Sequence, residues 1–356
     1  MGAYLSSPSL TKTTTTGTCP NPTNKTSKVT WSATSMQGWR KTMEDAHITR
    51  TDVPKAGVAD GNSNGETMVF SVFDGHGGSE VALFAEHHFV EELVKTKEWK
   101  EGDVGKSLVE TFHKLDEMVD SSEYREELSR LTNGNKNKPQ GGAAEEGDGE
   151  ERISTANAID LFQKLLTMNK DKEGKEDDDD SSKTITVANA GDSRAVLCRE
   201  GGKVFPLSYD HKPSDAVEST RIAEAGGFVN QFGRVNGNLN LSRSIGDLKY
   251  KQNVEVSRER QMITAEPDLI EVEMEEGDEF IVVGCDGIWD CLTNEECCQF
   301  VRTRIDEMTT AEIVEECLDT IVSEDPRSTQ GIGGDNMSLL LIDLRSETRE
   351  INKKKD

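Results

Sequence analysis

The segment Thr67-Met68-Val69-Phe70-Ser71-Val72-Phe73-Asp74-Gly75-His76-Gly77-Gly78 is the point from which the rest of the chain can be read. Its first seven residues form a short apolar and β-branched run that ends at Asp74-Gly75, which is the signature of a buried strand. That strand runs without interruption into Asp74, so a carboxylate stands at its mouth. The pattern recurs: Phe280-Ile281-Val282-Val283 passes through Gly284-Cys285 into Asp286-Gly287-Ile288-Trp289-Asp290. In the opposite sense, Gly333-Gly334-Asp335-Asn336 leads into the apolar Met337 to Ile342 run, and Met43-Glu44-Asp45 precedes a short strand through His47 and Thr49. Acids from four distant segments therefore stand at strand ends.

Working outward, Thr184 to Ala188 reads as a further buried strand, and Ser338 to Ile342 as another. Leu108, Phe112, Leu115 and Val119 recur at helical spacing, and Ser79 is placed to cap a helix through Val81, Phe84 and Leu93. Ser214 to Ala225 reads as a helix stopped by Gly226-Gly227, and Asn294 to Val322 as two more. Hairpin-like strands mixed with helix pairs give an α+β class, with antiparallel sheets covered by helices.

The chain has 356 residues, with Lys+Arg 41 against Asp+Glu 67 and a formal charge of −26. That balance speaks against nucleic acid as a partner, because phosphate backbones are held by a surplus of Lys and Arg. Hydrophobic residues make up 33% of the chain, lean for a globular protein but sufficient for a large core diluted by solvated inserts. Length alone suggests roughly two domains, but a single β-sandwich with inserts absorbs most of such a chain, and one large domain is the expectation. The seven cysteines include four between Cys285 and Cys298 but no CxxC pair, which reads as reduced, intracellular thiol. No apolar stretch is long enough to cross a bilayer, so a soluble or peripherally attached cytoplasmic protein is expected.

The buried strands give the acids their chemical meaning. A charge beside an apolar strand is costly unless it is paired or bound to a cation. Glycines beside the acids let backbone approach closely, so the Gly75 carbonyl can join carboxylates as an oxygen ligand. An all-oxygen set suits Mg²⁺ or Mn²⁺ rather than zinc. The competing reading is that each Asp-Gly or Asp-Asn is a simple turn. Arg40 lies four residues before Glu44, and its planar charged fork suits a phosphate dianion; the alternative is a surface salt bridge. His76, two residues beyond Asp74, can donate a proton to a departing oxyanion near neutral pH.

Three stretches read as solvated. Residues 1–28 are expected to form a flexible arm: they hold a Thr-rich run from Thr11 to Thr18 and no acid. The start, Met1-Gly2-Ala3-Tyr4-Leu5-Ser6, fits the pattern for N-myristoylation of Gly2, with an unmodified tail as the alternative. One such chain gives only reversible, peripheral membrane contact. Inserts at about 133–152 and 169–183 are polar, the second carrying Asp177-Asp178-Asp179-Asp180, and 346–356 is a charged tail.

Eight ordered motifs carry a family resemblance: Arg40-Lys41-Thr42-Met43-Glu44-Asp45, Phe73-Asp74-Gly75-His76-Gly77-Gly78, Ala188-Asn189-Ala190-Gly191-Asp192-Ser193-Arg194, Asp210-His211-Lys212-Pro213, Gly233-Arg234-Val235-Asn236-Gly237, Ser242-Arg243-Ser244-Ile245-Gly246-Asp247, Cys285-Asp286-Gly287-Ile288-Trp289-Asp290 and Gly334-Asp335-Asn336-Met337-Ser338. With them the sequence resembles the metal-dependent serine/threonine protein phosphatases of type 2C, over a catalytic domain spanning about 29–345. The resemblance implies a central sandwich of two antiparallel β-sheets flanked by helices on both sides, with two divalent ions, Mg²⁺ or Mn²⁺, at one end. It implies that Asp74 bridges both ions, that Glu44 and the Gly75 carbonyl complete one, and that Asp286 and Asp335 hold the other. Asp45 would support a metal-bound water, Arg40 hold the substrate phosphate, and His76 protonate the leaving alkoxide. Residues between Asp210 and Gly237 would form a flap.

One stretch departs from the family pattern. In Glu150-Glu151-Arg152-Ile153-Ser154-Thr155-Ala156, Glu150 stands where the family has an Asp that serves a weak third metal with the Asp286 and Asp290 equivalents. Beyond it, Ile159, Phe162, Leu165 and Leu166 recur at helical spacing where the resemblance implies a strand.

The activity implied is one-step hydrolysis of phosphoserine and phosphothreonine in proteins by a metal-bridging hydroxide, without a phosphoenzyme, by a monomer acting on phosphoprotein substrates. Two other classes compete with it: a phosphoprotein-binding pseudophosphatase or scaffold, and an acidic protein that buffers cations and cleaves nothing.

Overall fold

The computed structural model describes residues 4–21, 28–58, 67–134, 158–167 and 183–345. Along the chain come β1 (Ser9–Pro20), β2 (Lys28–Gly38), β3 (Ala46–Val53) and β4 (Thr67–His76), then helices α1 (Glu80–Lys95), α2 (Lys97–Glu101), α3 (Val104–Asp120) and α4 (Arg125–Gly134). Strands β5 (Ala158–Thr167), β6 (Thr184–Ala190), β7 (Arg194–Arg199) and β8 (Lys203–Pro206) follow, then α5 (Ala216–Glu224) and the short β9 (Ile245–Gly246). Strands β10 (Asp268–Glu273) and β11 (Asp278–Gly284) lead to helices α6 (Asp286–Trp289), α7 (Asn294–Arg302) and α8 (Thr310–Ile321), and β12 (Met337–Asp343) closes the series.

One sheet has the order β1-β2-β12-β11-β7-β8 and the other β10-β6-β5-β4-β3, with β9 alongside β5. All these pairings are antiparallel. The α+β class and the helix-flanked sandwich expected from the sequence are what the fold shows.

The burial of β4 on both faces explains why Met68 to Phe73 is apolar apart from Ser71, rather than alternating. Met68, Phe70 and Val72 pack into the core between the two sheets, whereas Val69 and Phe73 pack on the other face, against α1 and α3. A strand buried on both faces has no polar period, because each side chain leaves water whichever way it points. Each of these side chains contributes roughly 1.5–3 kcal/mol by burial. Asp74 shares the parity of Met68, Phe70 and Val72, so it ends the inter-sheet row where the apolar layer stops. Helices α7 and α8 each begin with a capping box, Thr293 with Glu296 and Thr309 with Glu312. The Ser79 hydroxyl, by contrast, makes no capping bond to α1.

One expectation is corrected, and one open reading is decided. Residues 9–20, read as part of a flexible arm, form β1, paired with β2 from Lys12↔Met36 to Pro20↔Lys28. An edge strand needs few apolar residues when its neighbour supplies the ladder and β-branched Thr suits extended backbone. Lys12 Nζ donates to Asp319 Oδ1 at 2.5 Å, Thr14 Oγ1 donates to Glu315 Oε1 at 2.6 Å, and Cys19 is buried. At residues 158–167, where helical spacing stood against the strand that the resemblance implied, the strand forms as β5, in register with β4 from Met68↔Leu166 to His76↔Ala158 and with β6. Pairing on both edges overrides a weak local period.

Candidate active site

Antiparallel register brings the four acid-bearing segments to one edge. Gly284 at the end of β11 pairs with Leu339 of β12, and Met337 of β12 pairs with Met36 of β2. The turns that follow β2, follow β11 and precede β12 therefore emerge side by side, opposite the end of β4. They carry Glu44 and Asp45, Asp286, and Asp335. Gly284 also pairs with Arg194 of β7, which brings Asp192 to the same edge.

Close backbone contacts hold these turns together. A methyl group on Gly75 would strike the Glu44 carbonyl, and one on Gly287 would strike the Asn336 carbonyl. Gly38 has φ +64 and faces the Asp335 carbonyl, so a side chain there would be both strained and crowded. Asn336 is buried and secures the loop before β3: its Nδ2 donates to Gln37 O at 2.8 Å and Thr42 O at 3.0 Å, and its Oδ1 accepts from Glu44 N at 2.8 Å. The Glu44 carboxylate accepts from Thr42 Oγ1 at 2.8 Å.

The electrostatic result is a set of carboxylates that oppose one another. Burial, then Asp286, Asp45 and Asp335, push Asp74 well above the usual carboxylate range. Burial with Asp192, Asp335 and Asp290 does the same to Asp286. Asp45 is pushed up to about 7, first by burial, against hydrogen bonds from Ser338 and Cys285 that favour its charged form. Its Oδ2 is buried without a hydrogen-bond partner. Asp290 is raised as well, chiefly by burial. Carboxylate oxygens of Asp45 and Asp74 lie within 4.8 Å of each other and of the Cys285 sulfur. Burial and the neighbouring acids keep that thiol protonated, and Ser338 N donates to it at 3.2 Å.

Two cationic side chains reach into this basin. Arg40 Nη2 donates to Asp335 Oδ2, and Asp286 and Asp74 also favour its charge. Lys212 Nζ donates to Asp192 Oδ2 and lies 3.9 Å from Asp210. Asp210 is itself held by Arg194, whose Nε and Nη2 donate to its two oxygens at 2.8 and 3.0 Å. The sequence reading quoted the motifs holding Asp192 and Lys212 but gave neither residue a place in the site. Asn189-Ala190-Gly191-Asp192 repeats the strand, glycine, acid order of the other segments, which was the available signal.

His76 lies at the end of β4, and its Nε2 is 3.3 Å from Asp247 Oδ2. Asp247 is buried and accepts a second hydrogen bond from Ser244 Oγ at 3.2 Å. Asp247 is a second partner that sequence reasoning missed. His76 Nδ1 is buried without a hydrogen-bond partner.

A divalent cation fits this donor set. The donors are oxygens, they destabilise one another as anions, one carboxylate oxygen is buried and unpartnered, and cationic side chains already lie against Asp335 and Asp192. Glu150 and Gly2 lie outside the described residues, as do most of the two inserts and the tail. Among the described residues no helix is long and apolar enough to cross a membrane.

Oxygen donors gathered at one edge of a helix-flanked antiparallel sandwich, with an arginine beside them, make up a site suited to a divalent cation. The family model for Protein phosphatase 2C matches residues 29–135 and 177–326. The chain is 40% identical over 350 residues to Protein phosphatase 2C 1 of Paramecium tetraurelia, covering 97% of this chain and 100% of that one. It is 36% identical over 371 residues to Probable protein phosphatase 2C 58 of Oryza sativa subsp. japonica, covering 97% and 90%. A solved phosphatase from Toxoplasma gondii shares the fold at a TM-score of 0.66 and 20% identity, over 96% of this chain and 97% of that one. The chain belongs to the protein phosphatase 2C family, as its motifs indicated, and is an enzyme of that class, a metal-dependent protein phosphatase.

Proposed function

We propose that the chain hydrolyses phosphoserine and phosphothreonine esters of phosphoproteins in a single step, with Mg²⁺ or Mn²⁺ as cofactor. The observation that carries this reading is the convergence of Asp74, Asp286, Asp335 and Asp45 from four distant segments, each close enough to disturb another's ionisation, with Arg40 beside them. Asp74, Glu44 and the Gly75 carbonyl, with Asp286 and Asp335, would hold two divalent cations. Asp290 with Glu150 would serve a weaker third. Bound there, such ions supply water activation and neutralise charge on the phosphoryl group.

The protein's own groups do the rest. Arg40 has half of its side chain exposed and presents a fork to two phosphoryl oxygens. Asp45, carrying a free oxygen, accepts a hydrogen bond from the attacking water and aims it. As the new P–O bond forms, the bond to the serine or threonine oxygen breaks. His76, held by Asp247, gives that oxygen its proton. The products are inorganic phosphate and the free hydroxyl, and no residue is phosphorylated on the way.

We also propose a cytoplasmic monomer with peripheral membrane contact through N-myristoylated Gly2, supported by the sequence pattern there. The test of the activity is phosphate release from a phosphothreonine peptide. Release is expected to stop on chelation and return with Mn²⁺ or Mg²⁺; release that persists in excess chelator overturns the reading.

A further inference from the structure

The segment just before β1 touches two turns of the site's rim, the one after β2 and the one before β12. The Leu5 N–H donates to Trp39 O at 2.9 Å, next to Arg40. The Tyr4 ring lies over Gly331 and Gly334, next to Asp335: an added methyl on Gly334 would sit 3.2 Å from Tyr4 Cε1, and one on Gly331 3.3 Å from Tyr4 Oη. At Gly334 such a methyl would first meet Pro326 Cβ and the Gly331 carbonyl, and at either position it would press by a few tenths of an ångström on Tyr4. The circuit closes behind it, because Trp39 Nε1 donates to Ser323 O at 2.8 Å and Ser323 N donates to Gly333 O at 2.9 Å. Residues 4–5 are thus the front clasp of a ring whose other members are 39, 323 and 333–334.

We infer that Tyr4 is a positioning residue for hydrolysis, its ring and the adjoining Leu5 amide clamping together the two segments that carry Arg40 and Asp335. The inference rests on the proposed roles of those two residues. Direct pairing of Arg40 with Asp335 is a poor way to fix their geometry. The side chains are 46% and 32% exposed, and ion pairs that open to water contribute only about 0–1 kcal/mol. The carboxylate has a second task, holding a cation, while the guanidinium must turn towards phosphate. Their relative placement then depends on the backbones behind them, and the clasp at Tyr4 and Leu5 is what ties those backbones on the outer side.

The experiment uses the full-length protein and compares Tyr4→Ala, Tyr4→Phe and Leu5→Pro, with Arg40→Ala alongside. Steady-state hydrolysis of a phosphothreonine peptide is followed across a Mn²⁺ series, with circular dichroism and thermal midpoint recorded for each. Tyr4→Ala and Leu5→Pro are expected to raise KM and the Mn²⁺ concentration for half-maximal activity by about threefold to tenfold, with kcat at saturation nearly unchanged. Tyr4→Phe keeps the ring beside Gly334 and loses only the Oη contact near Gly331, so both values are expected to stay near those of the wild type. Unchanged KM and Mn²⁺ requirement in Tyr4→Ala and Leu5→Pro, beside a raised KM in Arg40→Ala, overturn this inference alone. An unchanged KM in Arg40→Ala overturns the reading of the site and the inference with it.

Discussion

The Asn336 carboxamide accepts a hydrogen bond from the Glu44 backbone N–H at 2.8 Å, across 292 positions of sequence. Through its other end it donates to Gln37 O and Thr42 O, so one buried side chain fixes the loop between β2 and β3 against the start of β12. Asn336→Ala leaves an N–H and two carbonyls without these partners. A loss of about 2–4 kcal/mol is expected in urea unfolding, together with a raised Mn²⁺ requirement. A stability change near zero would show that solvent replaces the clamp.

The acids at the rim make the metal-free protein sensitive to alkali. Asp45 is pushed up to about 7, chiefly by burial, and Asp74 and Asp286 are pushed the same way. The folded state therefore keeps protons that the unfolded chain has released above about pH 4. That stability is full below the unfolded value and is lost as pH rises through the folded one. Chelated protein is expected to melt at a lower temperature at pH 7.5 than at pH 5.5, by an amount equivalent to a few kcal/mol. Saturating Mn²⁺ should flatten the slope, and a slope that Mn²⁺ leaves unchanged would place its origin outside this cluster.

Removing one of the opposing charges should separate stability from activity. Asp74→Asn takes away a carboxylate that Asp286, Asp45 and Asp335 all disfavour. The metal-free variant is expected to melt above the metal-free wild type at pH 7.5, yet to show no turnover with Mn²⁺. Near-normal turnover at saturating Mn²⁺ would remove Asp74 from its assigned role.

Under the proposed mechanism, the contact between His76 and Asp247 bears on the leaving group alone. His76→Ala is expected to slow hydrolysis of an alkyl phosphate, a phosphothreonine peptide, by about 10²–10⁴-fold and that of an activated aryl phosphate far less. Asp247→Asn should show the same selectivity more weakly. Equal losses on both substrates would sink the acid role.

Much of this was legible before the fold was known, for a physical reason. Strands such as Val69 to Phe73 and Phe280 to Val283 are buried on both sides, so their composition is extreme, and an Asp at their ends has few cheap environments. The misreading of β1 and the open reading of β5 have the opposite cause. β1 is an edge strand whose Thr-rich sequence gains its order from β2 and α8, and β5 takes its conformation from the neighbours it pairs with, so neither is encoded locally. Lys212 and Asp192 escaped notice because a lysine in a loop and an acid after a glycine are individually unremarkable. Only the strand register brings them beside Asp286.

The central claim is that these acids together hold divalent cations, and titration calorimetry of Mn²⁺ into chelator-stripped protein tests it most directly. Heat of binding in the wild type that disappears in Asp74→Asn and in Asp286→Asn, with both variants folded, is the expected result. Equal Mn²⁺ binding in all three proteins, or none in the wild type at millimolar Mn²⁺, would contradict it.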